Sequence, residues 1–206
     1  MKTNQGIYWG LFLVLALVNV FGPREWFVWT KPALVPGIAF GFQSLIRSSP
    51  RSNWLWVALF FGWVGDVLLL FPSLFLGGLG AFLLGHLAYV VLMYPSMAGP
   101  WKGRVPMLLF AGLMGFQLYS HVAPALIIPV LLYMSVICFM ALVAFRQGQI
   151  WLTVGSLLFM FSDLVLAWNK FINPLPAGGI VVMITYISAQ FALVKGWTSK
   201  QVSHIT

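Results

Sequence analysis

Long apolar runs separated by short polar breaks make up most of this chain. A membrane-spanning helix needs about 20 mostly apolar residues, within a usual range of about 17–25. The pattern therefore predicts an all-α, polytopic transmembrane helical bundle of about eight spans. These spans are expected near residues 7–22, 32–47, 54–71, 74–94, 105–120, 123–145, 150–168 and 176–196. The second and fifth runs are short, so seven spans is the alternative count.

The composition excludes a soluble domain. Of the 206 residues, 61% are hydrophobic and 7% are charged, whereas soluble domains carry about 25% charged residues. No stretch is long or polar enough to fold outside the bilayer, so residues 1–206 are predicted to form a single integral membrane domain. The one cysteine, Cys138, lies within a span and is interpreted as a packing residue.

The net charge of +8 is distributed between the apolar runs rather than clustered on one element. This distribution indicates membrane topology and argues against a nucleic-acid partner. With eight spans, one side carries eight of the eleven Lys and Arg residues and the other carries Arg24, Lys31 and Lys170. Because positive charge stays cytoplasmic, both termini are expected in the cytoplasm, in a bacterial inner membrane or an equivalent one.

Two of the three acidic residues, Asp66 and Asp163, lie inside apolar runs. A carboxylate at membrane depth costs about 2.5–3.5 kcal/mol on insertion scales and usually faces a cavity or a partner. The third and seventh spans run in the same direction, so both aspartates are expected at similar depth in the outward half. This match suggests two four-helix halves related by duplication, with shared apolar composition as the alternative explanation.

Further polar positions follow helical spacing on the neighbouring spans. His86 and Tyr89 are one turn apart on the fourth span, and Tyr186 and Gln190 are one turn apart on the eighth. One turn before the first aspartate, Gly62 is expected to let a neighbouring helix come close. The structural alternatives are a hydrogen-bonded histidine, two packing tyrosines and an interhelical amide.

Five sequence blocks, taken in order, resemble the YhhN-like lysoplasmalogenase family. The blocks are KPALVP, GWVGDVLLLF, GLGAFLLGHLAYVV, LLFMFSDLVLAWNKF and YISAQFALVKG, between Lys31 and Gly196. Gly85 stands before His86 where many members have alanine. The resemblance implies an integral membrane hydrolase that cleaves the vinyl ether bond of lysoplasmalogens. The products would be a fatty aldehyde and glycerophosphocholine or glycerophosphoethanolamine.

The same resemblance implies that Asp66 and Asp163 are the motif carboxylates, and that His86, Tyr186 and Gln190 are the other polar positions. Vinyl ether hydrolysis needs an acid for the alkene carbon, a negative charge beside the oxocarbenium ion and a base for water. Two carboxylates can supply all three, as in glycosidases. Repulsion between them at low dielectric favours one protonated and one ionised group. The sequence does not decide which aspartate is the acid.

The expected partners are a lysolipid, water and the bilayer, and no metal or cofactor is predicted. The lysolipid would lay its tail between helices. Lys31, Asn169 and Lys170 are candidates for its phosphate, because charge-assisted hydrogen bonds are strong. Interfacial anchoring is the alternative role for the two lysines.

Three other classes of protein remain as alternatives. A proton- or ion-coupled transporter would use the same intramembrane aspartates. A metal-dependent hydrolase would use Asp66, Asp163 and His86 as ligands. A serine enzyme would use Ser162, which points about 100° away from its neighbour Asp163 on an ideal helix and lies in no GxSxG motif.

Overall fold

A computed structural model describes residues 2–46, 51–94, 112–113, 115–117 and 119–203. Within these ranges the chain is helical and contains no strand, which confirms the all-α prediction. The long helices are α1 (Lys2–Phe21), α2 (Arg24–Phe42), α3 (Ser52–Leu68), α4 (Phe75–Met93), α5 (Pro124–Arg146), α6 (Ile150–Phe171) and α7 (Gly178–Ser203). A short 3-10 helix, Pro72–Leu74, precedes α4. Most of the predicted fifth span, 105–120, lies outside the described residues.

Four of the described helices are long and apolar enough to cross a membrane. Their apolar segments are Pro72–Met93, Pro124–Arg146, Ile150–Phe171 and Gly178–Ser199. A shorter apolar helix covers Gln5–Phe21. The chain is therefore a helical membrane protein, while eight crossings and cytoplasmic termini remain predictions.

Helix α2 differs most from its predicted span. It begins at Arg24, eight residues before the expected start at residue 32, and it continues through Pro32 and Pro36. Because proline has no N–H, Pro36 leaves the Pro32 carbonyl without its intrahelical donor. The indole N–H of Trp63 on α3 donates to that carbonyl at 3.0 Å. The prolines therefore lie within α2 rather than at its start, and Lys31 lies about two turns inside the helix.

The most extensive helix contacts are those of α3 with α4 and of α6 with α7. Helix α5 packs against α4 and α6, and α2 packs against α1, α3 and α7. The two extensive pairs are the ones that would correspond in two duplicated halves, and the duplication itself remains a prediction. This packing turns polar positions on six helices, α2 to α7, toward a shared interior.

A tight turn sets α5 beside α6. Helix α5 ends at Arg146, and Gly148 has a φ of +68°, a conformation that glycine adopts without steric cost. The Gln149 side chain then accepts a hydrogen bond from the Leu152 N–H at 2.9 Å and caps α6. The result is an antiparallel pair in which Tyr133 of α5 lies alongside Asp163 of α6.

Candidate active site

Asp66 is held by groups from two neighbouring helices. It lies in the last turn of α3, and its side chain is 1% exposed. The Lys31 ammonium of α2 lies 3.7 Å from Oδ1. The Tyr186 hydroxyl of α7 donates to Oδ2 at 2.7 Å. A buried carboxylate needs both a counter-charge and hydrogen bonds, and Asp66 has both.

The hydrogen bonds continue from Tyr186 along α7. Gln190 donates through Nε2 to the Tyr186 oxygen at 3.2 Å, which directs the Tyr186 proton toward Asp66. The hydroxyl of Tyr89 on α4 donates to Gln190 Oε1 at 2.9 Å. A Cβ on Gly62 would lie 2.9 Å from Gln190 Nε2. The glycine therefore lets α7 approach α3 closely, as predicted. We call these five side chains the Asp66 network: Lys31, Asp66, Tyr89, Tyr186 and Gln190.

Asp163 has simpler surroundings. The hydroxyl of Tyr133 on α5 donates to Asp163 Oδ2. In the part of the chain that the structure describes, no lysine or arginine forms an ion pair with Asp163. The rings of its partner Tyr133 and of the Asp66 partner Tyr186 belong to one chain of aromatic contacts. The structure thus brings the predicted pair into one interior with unequal partners.

No sequence pattern singles out Tyr133. It lies in the apolar run PVLLYMSV, where a tyrosine that packs and a tyrosine that donates a hydrogen bond look the same. The residues one turn away on either side, at positions 129, 130, 136 and 137, are all nonpolar. Its role becomes visible only when α5 is placed against α6.

An aromatic cluster connects Tyr133, the partner of Asp163, with Tyr186, the partner of Asp66. The His86 ring packs edge-on against Phe159, with centroids 4.5 Å apart, and against Tyr133 at 5.3 Å. Phe159 in turn contacts Tyr186 at 5.3 Å. His86 is 1% exposed, and neither of its ring nitrogens has a hydrogen-bond partner among the described residues. His86 therefore packs directly against Tyr133, the partner of Asp163, and is linked through Phe159 to Tyr186, the partner of Asp66.

An apolar cavity borders Asp163. Its volume is about 60 Å³, which makes it a narrow cleft. Asp163 and Tyr133 contribute its oxygen atoms, and most of its wall is aliphatic and aromatic, including Phe75, Phe82 and Ile137. Asp66 does not line this cavity. The cavity therefore offers an apolar chain direct contact with one of the two carboxylates.

A second cavity adjoins the first; most of its wall is apolar, and we call it the polar cavity because three polar side chains line it. It is lined by Lys31, Asn169 and Lys170, so the structure brings together all three predicted phosphate ligands. The two cavities share three wall residues: Leu69, Phe75 and Leu166. The Lys170 ammonium lies 5.0 Å from the centre of the Phe75 ring, at the boundary between them. An amphiphile can therefore place its tail in one cavity and its polar group in the other.

Two of the alternative sites do not form from the described residues. Ser162 donates to the Val182 carbonyl of α7 at 3.0 Å, whereas Asp163 faces Tyr133 on α5. The predicted divergence of Ser162 from Asp163 is confirmed. In the described part of the chain, no three His, Cys, Asp or Glu side chains group in a way that could hold a metal ion.

The fold and site define a helical membrane protein in which the buried carboxylate of Asp66 and the partly buried carboxylate of Asp163 face one interior, with two adjoining cavities nearby. Residues 26–197 match the model of the YhhN family, and the chain belongs to that family, as the sequence blocks indicated. Lysoplasmalogenase TMEM86B of Homo sapiens is 35% identical over 171 residues, which cover 74% of each chain.

Two further relatives extend the comparison. Lysoplasmalogenase TMEM86A of Homo sapiens is 32% identical over 165 residues, covering 74% of this chain and 68% of the relative. Lysoplasmalogenase of Mycobacterium tuberculosis is 32% identical over 158 residues, covering 70% of this chain and 60% of the relative. No solved structure matches the chain.

Proposed function

We propose that this protein hydrolyses the vinyl ether bond of lysoplasmalogens, releasing a fatty aldehyde and glycerophosphocholine or glycerophosphoethanolamine. The family relatives named lysoplasmalogenase support an ether hydrolase. The observation that carries the proposal is the position of Asp163 on the wall of the apolar cavity, beside a polar cavity that holds two lysines. The enzyme would act as one eight-span membrane domain with both termini in the cytoplasm.

The two cavities suit the two parts of a lysolipid. The alkenyl chain occupies the apolar cavity, where burial of each CH₂ contributes about 0.8 kcal/mol. The phosphate lies in the polar cavity near Lys31, Asn169 and Lys170. The vinyl ether bond joins these two parts, so it lies near the boundary between the cavities.

Asp163 is the proton donor in this proposal. It borders apolar surface, and no lysine or arginine among the described residues pairs with it, which favours the neutral carboxyl group. Its proton passes to the second carbon of the alkenyl chain, and the π electrons of the double bond form the new C–H bond. The positive charge then spreads over the first carbon and the ether oxygen, while Tyr133 stabilises the Asp163 carboxylate that remains.

Asp66 is the base. Lys31 and Tyr186 stabilise its carboxylate, and its negative charge stabilises the oxocarbenium ion. Water bonds to the first carbon and gives a proton to Asp66, which yields a hemiacetal. The hemiacetal breaks its carbon–oxygen bond to glycerol as its hydroxyl proton moves to the glycerol oxygen. One proton then passes from Asp66 to Asp163 and restores the starting state.

The test is aldehyde release by the purified protein in detergent. A vinyl-ether lysolipid is offered beside its acyl and saturated-ether counterparts, with Asp163→Asn as the control. We expect aldehyde from the vinyl ether alone and its loss in the variant. Absence of aldehyde from a folded, monodisperse sample would contradict the proposal and favour a carrier that uses the same aspartates.

A further inference from the structure

Lys31 takes part in two sites at once. Its ammonium pairs with Asp66 Oδ1, and the same side chain lines the polar cavity. The residue is 8% exposed. Its separation of 3.7 Å from the carboxylate oxygen exceeds the roughly 2.7–2.9 Å of a charge-assisted N–H···O bond. The ammonium is therefore close to Asp66 without being locked to it.

Asp66 itself lines neither cavity. Tyr186 donates to one of its oxygens, and Lys31 lies against the other. A water molecule that approaches from the polar cavity meets Lys31 before it reaches Oδ1. The base of the proposed reaction is therefore covered on its cavity side by the Lys31 side chain.

We propose, on the basis of the proposed function, that Lys31 couples phosphate binding to catalysis. The phosphate of the substrate draws the Lys31 ammonium away from Asp66 and into the polar cavity. This movement frees Oδ1 to accept the proton of the attacking water. Binding energy from a remote group is then used in the reaction itself, so the phosphate raises kcat as well as lowering KM.

Lys170 provides a matched comparison. It is exposed, its ammonium lies over the Phe75 ring, and it lines the polar cavity as Lys31 does. Its ammonium forms no ion pair with either aspartate among the described residues. Lys170 would therefore contribute to phosphate binding without affecting the base.

The experiment compares two lipids with the same alkenyl chain. One is a vinyl-ether lysolipid with a phosphoethanolamine headgroup, and the other is the 1-alkenylglycerol that lacks the phosphate. With the wild-type enzyme we expect the truncated lipid to show at least a tenfold lower kcat in addition to a higher KM. Lys170→Gln should raise KM for the phospholipid and preserve the kcat difference between the two lipids. Lys31→Gln should turn over the two lipids with equal kcat.

The outcomes separate this inference from the proposed function. Aldehyde from both lipids with equal kcat in the wild type would overturn the coupling and leave the hydrolase intact. Aldehyde from neither lipid would overturn both. A kcat difference that persists unchanged in folded Lys31→Gln would show that another residue carries the effect. If Lys31→Gln does not fold, the wild-type comparison and Lys170→Gln still decide.

Discussion

The two aspartates lie in the same interior but have different surroundings. Asp66 contacts a lysine and a tyrosine, and that tyrosine accepts a hydrogen bond from Gln190. Asp66 lines neither cavity. Asp163 has one tyrosine partner and an apolar cavity in front of it. One carboxylate has a counter-charge beside it, and the other lines an apolar cavity.

This difference shows how two identical side chains can take opposite roles in one reaction. Environment, rather than residue type, separates an acid from a base when two carboxyl groups share a site. The proposed assignment of Asp163 as acid and Asp66 as base depends on this contrast alone. Variants that remove the contrast therefore test the mechanism directly.

The largest expected effects come from Asp163→Asn and Asp66→Asn. Both should lower turnover by about 10²–10⁴-fold, the usual contribution of a general acid or base. Only Asp66→Asn should also destabilise the protein, because Lys31 loses its counter-charge. We expect the free energy of unfolding to fall by about 2 kcal/mol. Breaking a fully buried ion pair costs roughly 3–5 kcal/mol, and the cost should be lower here because Lys31 lines a cavity.

Thermal melting in detergent, measured beside aldehyde release, checks this prediction. Wild-type turnover by both variants would rule out the mechanism. Equal melting temperatures for the two variants would show that the Lys31 pair contributes no stability.

The two tyrosines next to the aspartates should give intermediate effects of different kinds. Tyr186→Phe removes one hydrogen bond from Asp66 and one from Gln190, and both residues are buried. The free energy of unfolding should therefore fall by about 1–3 kcal/mol. Tyr133→Phe affects only Asp163, beside a cavity, and should mainly lower kcat, by about tenfold. Parallel kinetics and melting curves measure both. If Tyr133→Phe were less stable than Tyr186→Phe, the proposed difference between the surroundings of the two aspartates would be contradicted.

The smallest effect is expected from Gly62→Ala. The new methyl group would lie 2.9 Å from Gln190 Nε2, so the flexible amide must shift and the Tyr186 proton is directed less well. We expect turnover to fall a few-fold, since one neutral hydrogen bond contributes about 1 kcal/mol. Gly80→Ala on α4 is the matched control, because its methyl group would meet nothing within 4 Å. Equal activity of the two variants would show that Gln190 does not position Tyr186.

Sequence periodicity predicted the apolar helices well and α2 poorly. Predicted spans 123–145 and 150–168 correspond to Pro124–Arg146 and Ile150–Phe171, because uninterrupted apolar length is a direct signal. Helix α2 begins with Arg24 and Glu25, so its first turns lack the apolar signal that marked the other helices. Hydropathy cannot show that Trp63 of another helix completes the hydrogen bonding there.

The candidate site was predicted as a set of residues but not as a set of contacts. Asp66, Tyr186 and Gln190 stood out because polar groups inside apolar runs are costly. Spacing within one helix does not show how that helix is rotated against its neighbours. The Lys31–Asp66 pair and the Tyr133 hydrogen bond both depend on such rotations. The sequence therefore predicted Lys31 as a phosphate ligand but did not predict its pairing with Asp66.

The Trp63 hydrogen bond to the Pro32 carbonyl has a consequence for biogenesis. Helix α2 is not among the four segments that qualify as spans by length and composition. Without α3, its Lys31 ammonium and its Pro32 carbonyl would each lack the partner described above. Helix α3 begins ten residues after α2 ends and brings both Asp66 and Trp63. We therefore expect α2 to remain at the translocon until α3 has been synthesised, so that the two helices insert into the membrane together as a hairpin.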